Sequence, residues 1–129
     1  DLVRSRGLGD VYKRQSLPGA QARTAAQQLA SGLRSARGQA IARGDEAVLL
    51  LDLERKSYRQ GERTVALASG LELSLDTAIS EVGTAGQGGI RFYPDGSSTG
   101  GRIGVQGGGH AYRVDVDWLT GKVTVNEAE

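Results

Sequence analysis

Residues 33–53 read LRSARGQAIARGDEAVLLLDL, and within this stretch the hydrophobic period changes from 3.6 to two. Up to Arg43 the apolar and small residues recur at three- and four-residue steps. After Gly44 they run together as a β-rich segment, Ala47–Leu53. A helix therefore hands over to a strand at Gly44. The glycine suits the left-handed position after a last helical turn, and Arg43 suits the negative end of the helix dipole.

Working backward, Ala22, Ala25, Ala26, Leu29, Leu33, Ala36 and Ala40 fall in one arc about 100° wide, the width of a buried stripe. Gln27, Gln28, Ser31, Ser35 and Gln39 occupy the other side, with Arg23, Arg34 and Arg37 along one flank. Ser16-Leu17-Pro18-Gly19 reads as a breaker, so the helix is expected to begin directly after it.

Working forward, the chain alternates. Lys56–Gln60 reads as a return strand. Leu71, Leu73 and Leu75 alternate with polar residues, and so do Ile90 and Phe92. His110–Trp118 is the clearest strand, with Tyr112, Val114, Val116 and Trp118 expected on one buried face. On that expectation Trp118→Ala should cost about 3–5 kcal/mol. Pro94-Asp95-Gly96 and Thr120-Gly121 are turn sequences, and Val123 and Val125 continue an inward face. The glycine-rich stretches 83–89 and 107–109 are expected to be mobile loops. The fold class is α+β: one long amino-terminal helix packed on antiparallel sheet.

Composition narrows the chemistry. Twenty of the 129 residues are glycine, above the usual level of about 7%, but no triplet period accompanies them. The chain has no cysteine, which excludes disulfides, thiolate zinc sites and cysteine nucleophiles. No apolar run approaches the roughly 18 residues of a membrane span. The glycine clusters lack the Lys-Ser/Thr ending and following helix of a phosphate loop. A triad of Ser97, His110 and Asp117 has no nucleophile-elbow pattern behind it. Asp95, Asp115, Asp117 and Glu54 form no calcium-loop spacing. No catalytic, metal or cofactor residue is therefore expected.

Charge is unevenly placed. Residues 1–15 carry four basic and two acidic groups, and without them the net charge of +1 becomes −1. They show no hydrophobic period and are expected to be a non-native or disordered leader. Residues 20–43 hold four arginines and no carboxylate, whereas residues 44–129 have a net charge of −5. A nucleic-acid binder would show a basic stripe with interleaved aromatics, so no nucleic-acid partner is expected.

Two segments carry a family resemblance. Residues 90–101 (IRFYPDGSSTGG) and 112–123 (YRVDVDWLTGKV), preceded by 33–45 and 48–53, resemble the GspH/FimT family over roughly residues 16–125. Within the family they are most similar to its type II secretion pseudopilins. The resemblance implies a type IV pilin-like fold, with the carboxy-terminal half of a pilin helix at 16–44 and a globular β domain at 45–129. In the family the helix extends backward into an apolar membrane anchor, expected to be missing from this chain. The implied role is assembly: a structural subunit at or near the pseudopilus tip. It would lie in the periplasm of a Gram-negative bacterium, anchored in the inner membrane. Its partners would be other minor and major pseudopilins, with exoprotein cargo as a further candidate. Phe92, Pro94, Asp95, Gly96, Gly100, Gly101, Asp117, Trp118, Thr120 and Gly121 would be fold determinants, and Arg34 and Arg37 a subunit interface. The family's other branch, FimT-like minor type IV pilins that take up DNA through a basic tail, is the alternative. This chain instead ends VTVNEAE, with Lys122 as its last cation. Deleting residues 1–15 should leave Tm unchanged. A fall of several degrees, corresponding to about 1 kcal/mol in a domain this size, would show that they pack.

Overall fold

Alanine and glycine on one face of a helix allow other elements to approach its backbone closely, and two sheets here use the same helix. The computed structural model describes residues 18–78, 81–83 and 86–128. Helix α1 spans Pro18–Arg43, about 39 Å at 1.5 Å per residue. It takes Pro18 into its own first turn, where the missing N–H leaves no hydrogen bond unmade. It ends as expected, with the Gly44 and Asp45 N–H groups both donating to the Ala40 carbonyl at 3.0 and 3.2 Å.

Eight strands follow: β1 (Ala47–Asp52), β2 (Ser57–Gln60), β3 (Arg63–Ala66), β4 (Glu72–Thr77), β5 (Gln87–Phe92), β6 (Gly101–Gly107), β7 (His110–Val116) and β8 (Val123–Ala128). They form two four-stranded antiparallel sheets, ordered β3-β2-β1-β5 and β4-β6-β7-β8. The pairing places buried residues opposite one another: Leu49 with Ile90 across β1 and β5, and Ile103 with Val114 across β6 and β7.

All seven residues of the expected helix stripe are buried, and Ala30 joins them. The first sheet contributes Leu49, Leu51, Tyr58, Ile90 and Phe92 to the core, and the second Ile103, Val105, Val114, Val116 and Val123. Gly32 marks the closest approach to the first sheet. A Cβ built there would lie 2.8 Å from Tyr58 Cε1 and 3.0 Å from Leu49 Cδ1. The Tyr58 hydroxyl, buried among these groups, donates to the Gln28 carbonyl at 3.3 Å. The buried Gln60 amide donates to Ser35 Oγ at 3.2 Å. The sheets are also tied directly, since the Thr77 hydroxyl of β4 donates to the Gly89 carbonyl of β5 at 2.6 Å.

Three expectations are corrected. Trp118 is not in the core: β7 ends at Val116, and Trp118 is 66% exposed. The chain leaves the alternating pattern because Asp117 starts a turn. Its Oδ1 accepts from Leu119 N at 2.8 Å, and its carbonyl from Gly121 N at 2.7 Å. This side chain–backbone turn chemistry overrides the period of two. Second, residues 87–89 are strand and not loop. Gly88 and Gly89 pair with Leu51 and Leu50, and their bare backbone lets Leu75 of the second sheet lie against Gly88. Third, Gly107 closes β6, and Gly108-Gly109 makes a tight hairpin turn before His110. Strands β3 and β6 are additions to the sequence reading. Residues 1–15 lie outside the described residues.

Leu33→Ala should destabilise by about 2–5 kcal/mol in chemical denaturation, as buried large-to-small changes do. Trp118→Ala should stay within about 0.5 kcal/mol of the parent, as surface changes do, and folded Trp118 should emit at a water-like wavelength. A blue-shifted emission would return Trp118 to the core.

Candidate functional site

The two motif segments of the sequence meet in space at the side of α1. Segment 93–100 carries the chain from β5 of one sheet to β6 of the other, and turn 117–121 joins β7 to β8. In the first, Gly96 N donates to the Tyr93 carbonyl at 2.9 Å, closing a turn over Pro94 and Asp95. Asp95 Oδ1 accepts from Ser97 N and Oγ at 2.9 and 2.6 Å. These bonds, the Ser97 hydroxyl first, hold the Asp95 carboxyl below the usual aspartate range. In the second, Gly121 adopts φ +72°, and a Cβ there would collide with the Gly96 carbonyl oxygen. Backbone strain and lack of space both require glycine at this point.

Arg37 joins the two turns to the helix. Its Nε–H donates to the Gly96 carbonyl at 3.0 Å and the Thr120 carbonyl at 3.1 Å. One turn earlier on α1, the Arg34 guanidinium donates to the Val123 carbonyl at 2.9 Å. Both arginines expected at a subunit interface thus hold carbonyls of their own chain. Ser98, buried in the crossing segment, completes the junction. Its hydroxyl donates to the Arg91 carbonyl at 2.8 Å and accepts from Gly100 N at 2.9 Å, while its N–H donates to the Trp118 carbonyl at 2.9 Å. Ser98 and its role were not legible in the sequence, because a small hydroxyl between turn residues carries no periodic signal.

The remaining motif residues sort by exposure. Phe92 is fully buried at the end of β5. Gly100 lies against the Cβ of Trp118, and Gly101 against the Asp76 carbonyl and Ile90. Pro94, Asp95, Asp117, Trp118 and Thr120 face water.

The groups considered for catalysis are not brought together. His110 opens β7 and Asp117 follows its last residue, about 23 Å away at 3.3 Å per residue. His110 Nδ1 sits 3.7 Å from a Glu127 carboxylate oxygen, and Ser97 hydrogen-bonds Asp95. Asp115 lies between Arg102 Nε at 2.7 Å and Arg113 Nε at 2.9 Å. Burial opposes its charge, but the two arginine hydrogen bonds outweigh that and lower its pKa. Among the described residues, no three His, Cys, Asp or Glu side chains cluster to hold a metal. A hollow of about 330 Å³ between the end of α1 and strands β1 and β2 holds Arg43, Asp45, Glu46 and Arg59. It mixes charges of both signs, and no Ser, Thr, Cys, His or Lys among the described residues lines it.

A family profile described as "Type II transport protein GspH" matches residues 25–121, from the first third of α1 through the second turn. The type II secretion system protein H of Xanthomonas campestris pv. campestris is 36% identical over 108 residues, 83% of this chain. The chain spans 64% of that relative's length. The minor pseudopilin EpsH from the type 2 secretion system of Vibrio cholerae superposes with a TM-score of 0.65 at 15% identity. That match covers 83% of this chain and 97% of EpsH. The type IV minor pilin FimU of Pseudomonas aeruginosa gives a TM-score of 0.63 at 14% identity, covering 83% of this chain and 89% of FimU. At these identities the two structures establish a shared fold: one amino-terminal helix on antiparallel sheets.

Arg37→Ala should destabilise the chain by about 2 kcal/mol, within the range for hydrogen bonds made by a charged group. Arg34→Ala, with one such bond to lose, should cost less. Denaturant midpoints of the two variants measure the difference; equal and negligible effects would mean that the arginines do not fasten the turns.

Proposed function

Because the chain belongs to the GspH family, we propose that it is the globular part of a minor pseudopilin, a structural subunit of a type II secretion system. The observation that supports this best is the extent of the family match, which runs from α1 across both sheets to the turn at 117–121. The role is mechanical. The subunit assembles with other minor and major pseudopilins, at or near the tip of a filament whose growth moves folded exoproteins across the outer membrane. In this reading the β domain stands in the periplasm, and α1 continues toward an anchor in the inner membrane. No helix among the described residues is itself long and apolar enough to cross a membrane. Phe92, Gly96, Gly121 and their neighbours act as fold determinants.

Arg34 and Arg37 serve this function first through the fold, because each holds a carbonyl of the sheet domain. A subunit contact through them would use the guanidinium nitrogens left over. The DNA-uptake role of FimT-like minor pilins fits the charges poorly. Phosphate binding requires cations at the contact surface, whereas β8 carries Glu127 and no Lys or Arg.

The test is a gene deletion in the source organism, complemented with the full-length protein. Secretion of exoproteins to the medium should be lost on deletion and restored by complementation, while natural transformation is unchanged. The 129-residue chain should show no binding to duplex DNA at micromolar concentration near physiological salt. Intact secretion in the deletion strain, or DNA binding with a steep salt dependence, would overturn the proposal.

A further inference from the structure

Asp95-Gly96 is the single Asp-Gly step in the chain, and there is no Asn-Gly. Such a step can rearrange without any enzyme. The Gly96 amide nitrogen attacks Asp95 Cγ, a nitrogen–carbon bond forms, and the amide proton leaves with the carboxyl OH as water, giving a succinimide. Water then opens the ring. Opening at Cγ restores aspartate. Opening at the main-chain carbonyl carbon of Asp95 gives isoaspartate, in which the backbone runs through Asp95 Cβ and Cγ. Nothing is oxidised or reduced, and water is the only co-reactant. Glycine after the aspartate favours the reaction, because it leaves the backbone free to turn and puts no Cβ in the way of ring closure. Asp45, Asp52, Asp76, Asp115 and Asp117 all precede residues with side chains.

The folded turn opposes this attack from both sides. Gly96 N–H, the nucleophile, donates to the Tyr93 carbonyl at 2.9 Å, and Tyr93 N–H donates to the Ser97 carbonyl at 2.9 Å. These bonds fix the plane of the Asp95–Gly96 peptide. Asp95 Oδ1 accepts from Ser97 N and Oγ at 2.9 and 2.6 Å, which directs the carboxylate past Gly96 N toward Ser97. The same bonds, the Ser97 hydroxyl first, keep the carboxyl ionised. Only the neutral acid can release its OH as water, so the electrophile is withheld as well.

The product would not fit the junction. Isoaspartate lengthens the main chain just before Gly96, whose carbonyl accepts from Arg37 Nε at 3.0 Å. That carbonyl also passes so close to Gly121 that a Cβ there would collide with it. A longer backbone has no room to restore both contacts. We infer that Asp95-Gly96 is a modification site of this chain, held unreacted by the closed turn with Ser97 as its positioning residue, and that conversion to isoaspartate releases the Arg37 junction. The device runs one way: opening the turn permits the reaction, and the reaction prevents closing. This chemistry belongs to the chain alone, whatever its partners.

The test incubates the 129-residue chain at neutral pH, with and without concentrated urea. Mass spectrometry with fragmentation that separates isoaspartyl from aspartyl peptides then follows residue 95. The native chain should isomerise at least about tenfold more slowly than the chain in urea, and native Ser97→Ala about tenfold faster than the native parent, as loss of a hydrogen bond to a charged group allows. The melting temperature of Ser97→Ala should match the parent's, and in urea the two rates should agree. Arg37→Ala, which leaves residues 95–97 intact, should also raise the native rate. Equal rates for the parent with and without urea would overturn the inference. So would no rise in either variant, or a Ser97→Ala effect that persists undiminished in urea, since that effect would come from the neighbouring residue and not from the turn. The isoaspartyl form, separated by ion exchange, should lose at least as much in denaturant midpoint as Arg37→Ala does. An unchanged midpoint would show that the junction survives the modification, and the release would fall.

Discussion

Close approach to one helix face is the constraint on which this fold depends. Two sheets of four strands share α1, and they can do so because the face between Ala22 and Ala40 is made almost entirely of alanine, with Leu29 and Leu33 near its centre. At Gly32 even a methyl group would press on Tyr58 and Leu49. Larger side chains along this stripe would hold the sheets off the helix, and close packing tolerates little change of volume. The narrowness of the helix also brings the sheets within reach of each other, so that a hydroxyl of β4 bonds a carbonyl of β5.

Apolar burial alone would leave the rotation of the β domain about the helix weakly defined, because alanine faces are smooth. The polar junction supplies that definition. Arg34 and Arg37 reach across from α1 to carbonyls that belong to β8 and to the two turns. Those carbonyls come from the crossing between the sheets and from the last hairpin, so the two guanidinium groups fix both sheets relative to one axis. Gly121 then has no room for a side chain against the Gly96 carbonyl, while Gly96, at φ +91°, would press any Cβ onto the Arg37 guanidinium. Ser98, buried in the crossing, pairs Gly100 N and the Trp118 carbonyl, and its hydroxyl adds a second hydrogen bond to the Arg91 carbonyl, which also accepts from Thr99 N.

The same junction links fold to function. A turn held by backbone and arginine hydrogen bonds needs no hydrophobic anchor of its own, so Trp118 and Leu119 are free to face outward. On the pseudopilin reading proposed above, such a preorganised turn would give a filament subunit a surface that keeps its shape.

Much of this architecture was legible in the residues. The helix stripe from Ala22 to Ala40 and its stop at Gly44 follow from a period of 3.6 and the chemistry of helix ends, both local properties. Strand β1 followed from a β-rich apolar run and β2 as its return, β4, β7 and part of β5 from alternation, and the two turns from Pro-Asp-Gly and Thr-Gly. Strand β3 escaped because four residues, Arg63 to Ala66, are too few and too polar to show a period. Strand β6 and residues 87–89 escaped because glycine hides strand propensity, and those glycines make sense only once another sheet lies against them. Trp118 was misplaced for a related reason. Its position in the alternation pointed inward, but Asp117 and Gly121 close a turn that ends β7 two residues earlier. The helix, its buried face, the α+β class and the chemistry of the turns are written in the residues themselves, because these depend on neighbours within a few positions. Only contacts between distant segments settle that Arg34 and Arg37 bond carbonyls of the sheet domain, that Ser98 is a junction, and that Trp118 faces water. Each of these depends on groups brought together from segments far apart in the chain, whose meeting leaves no local signature.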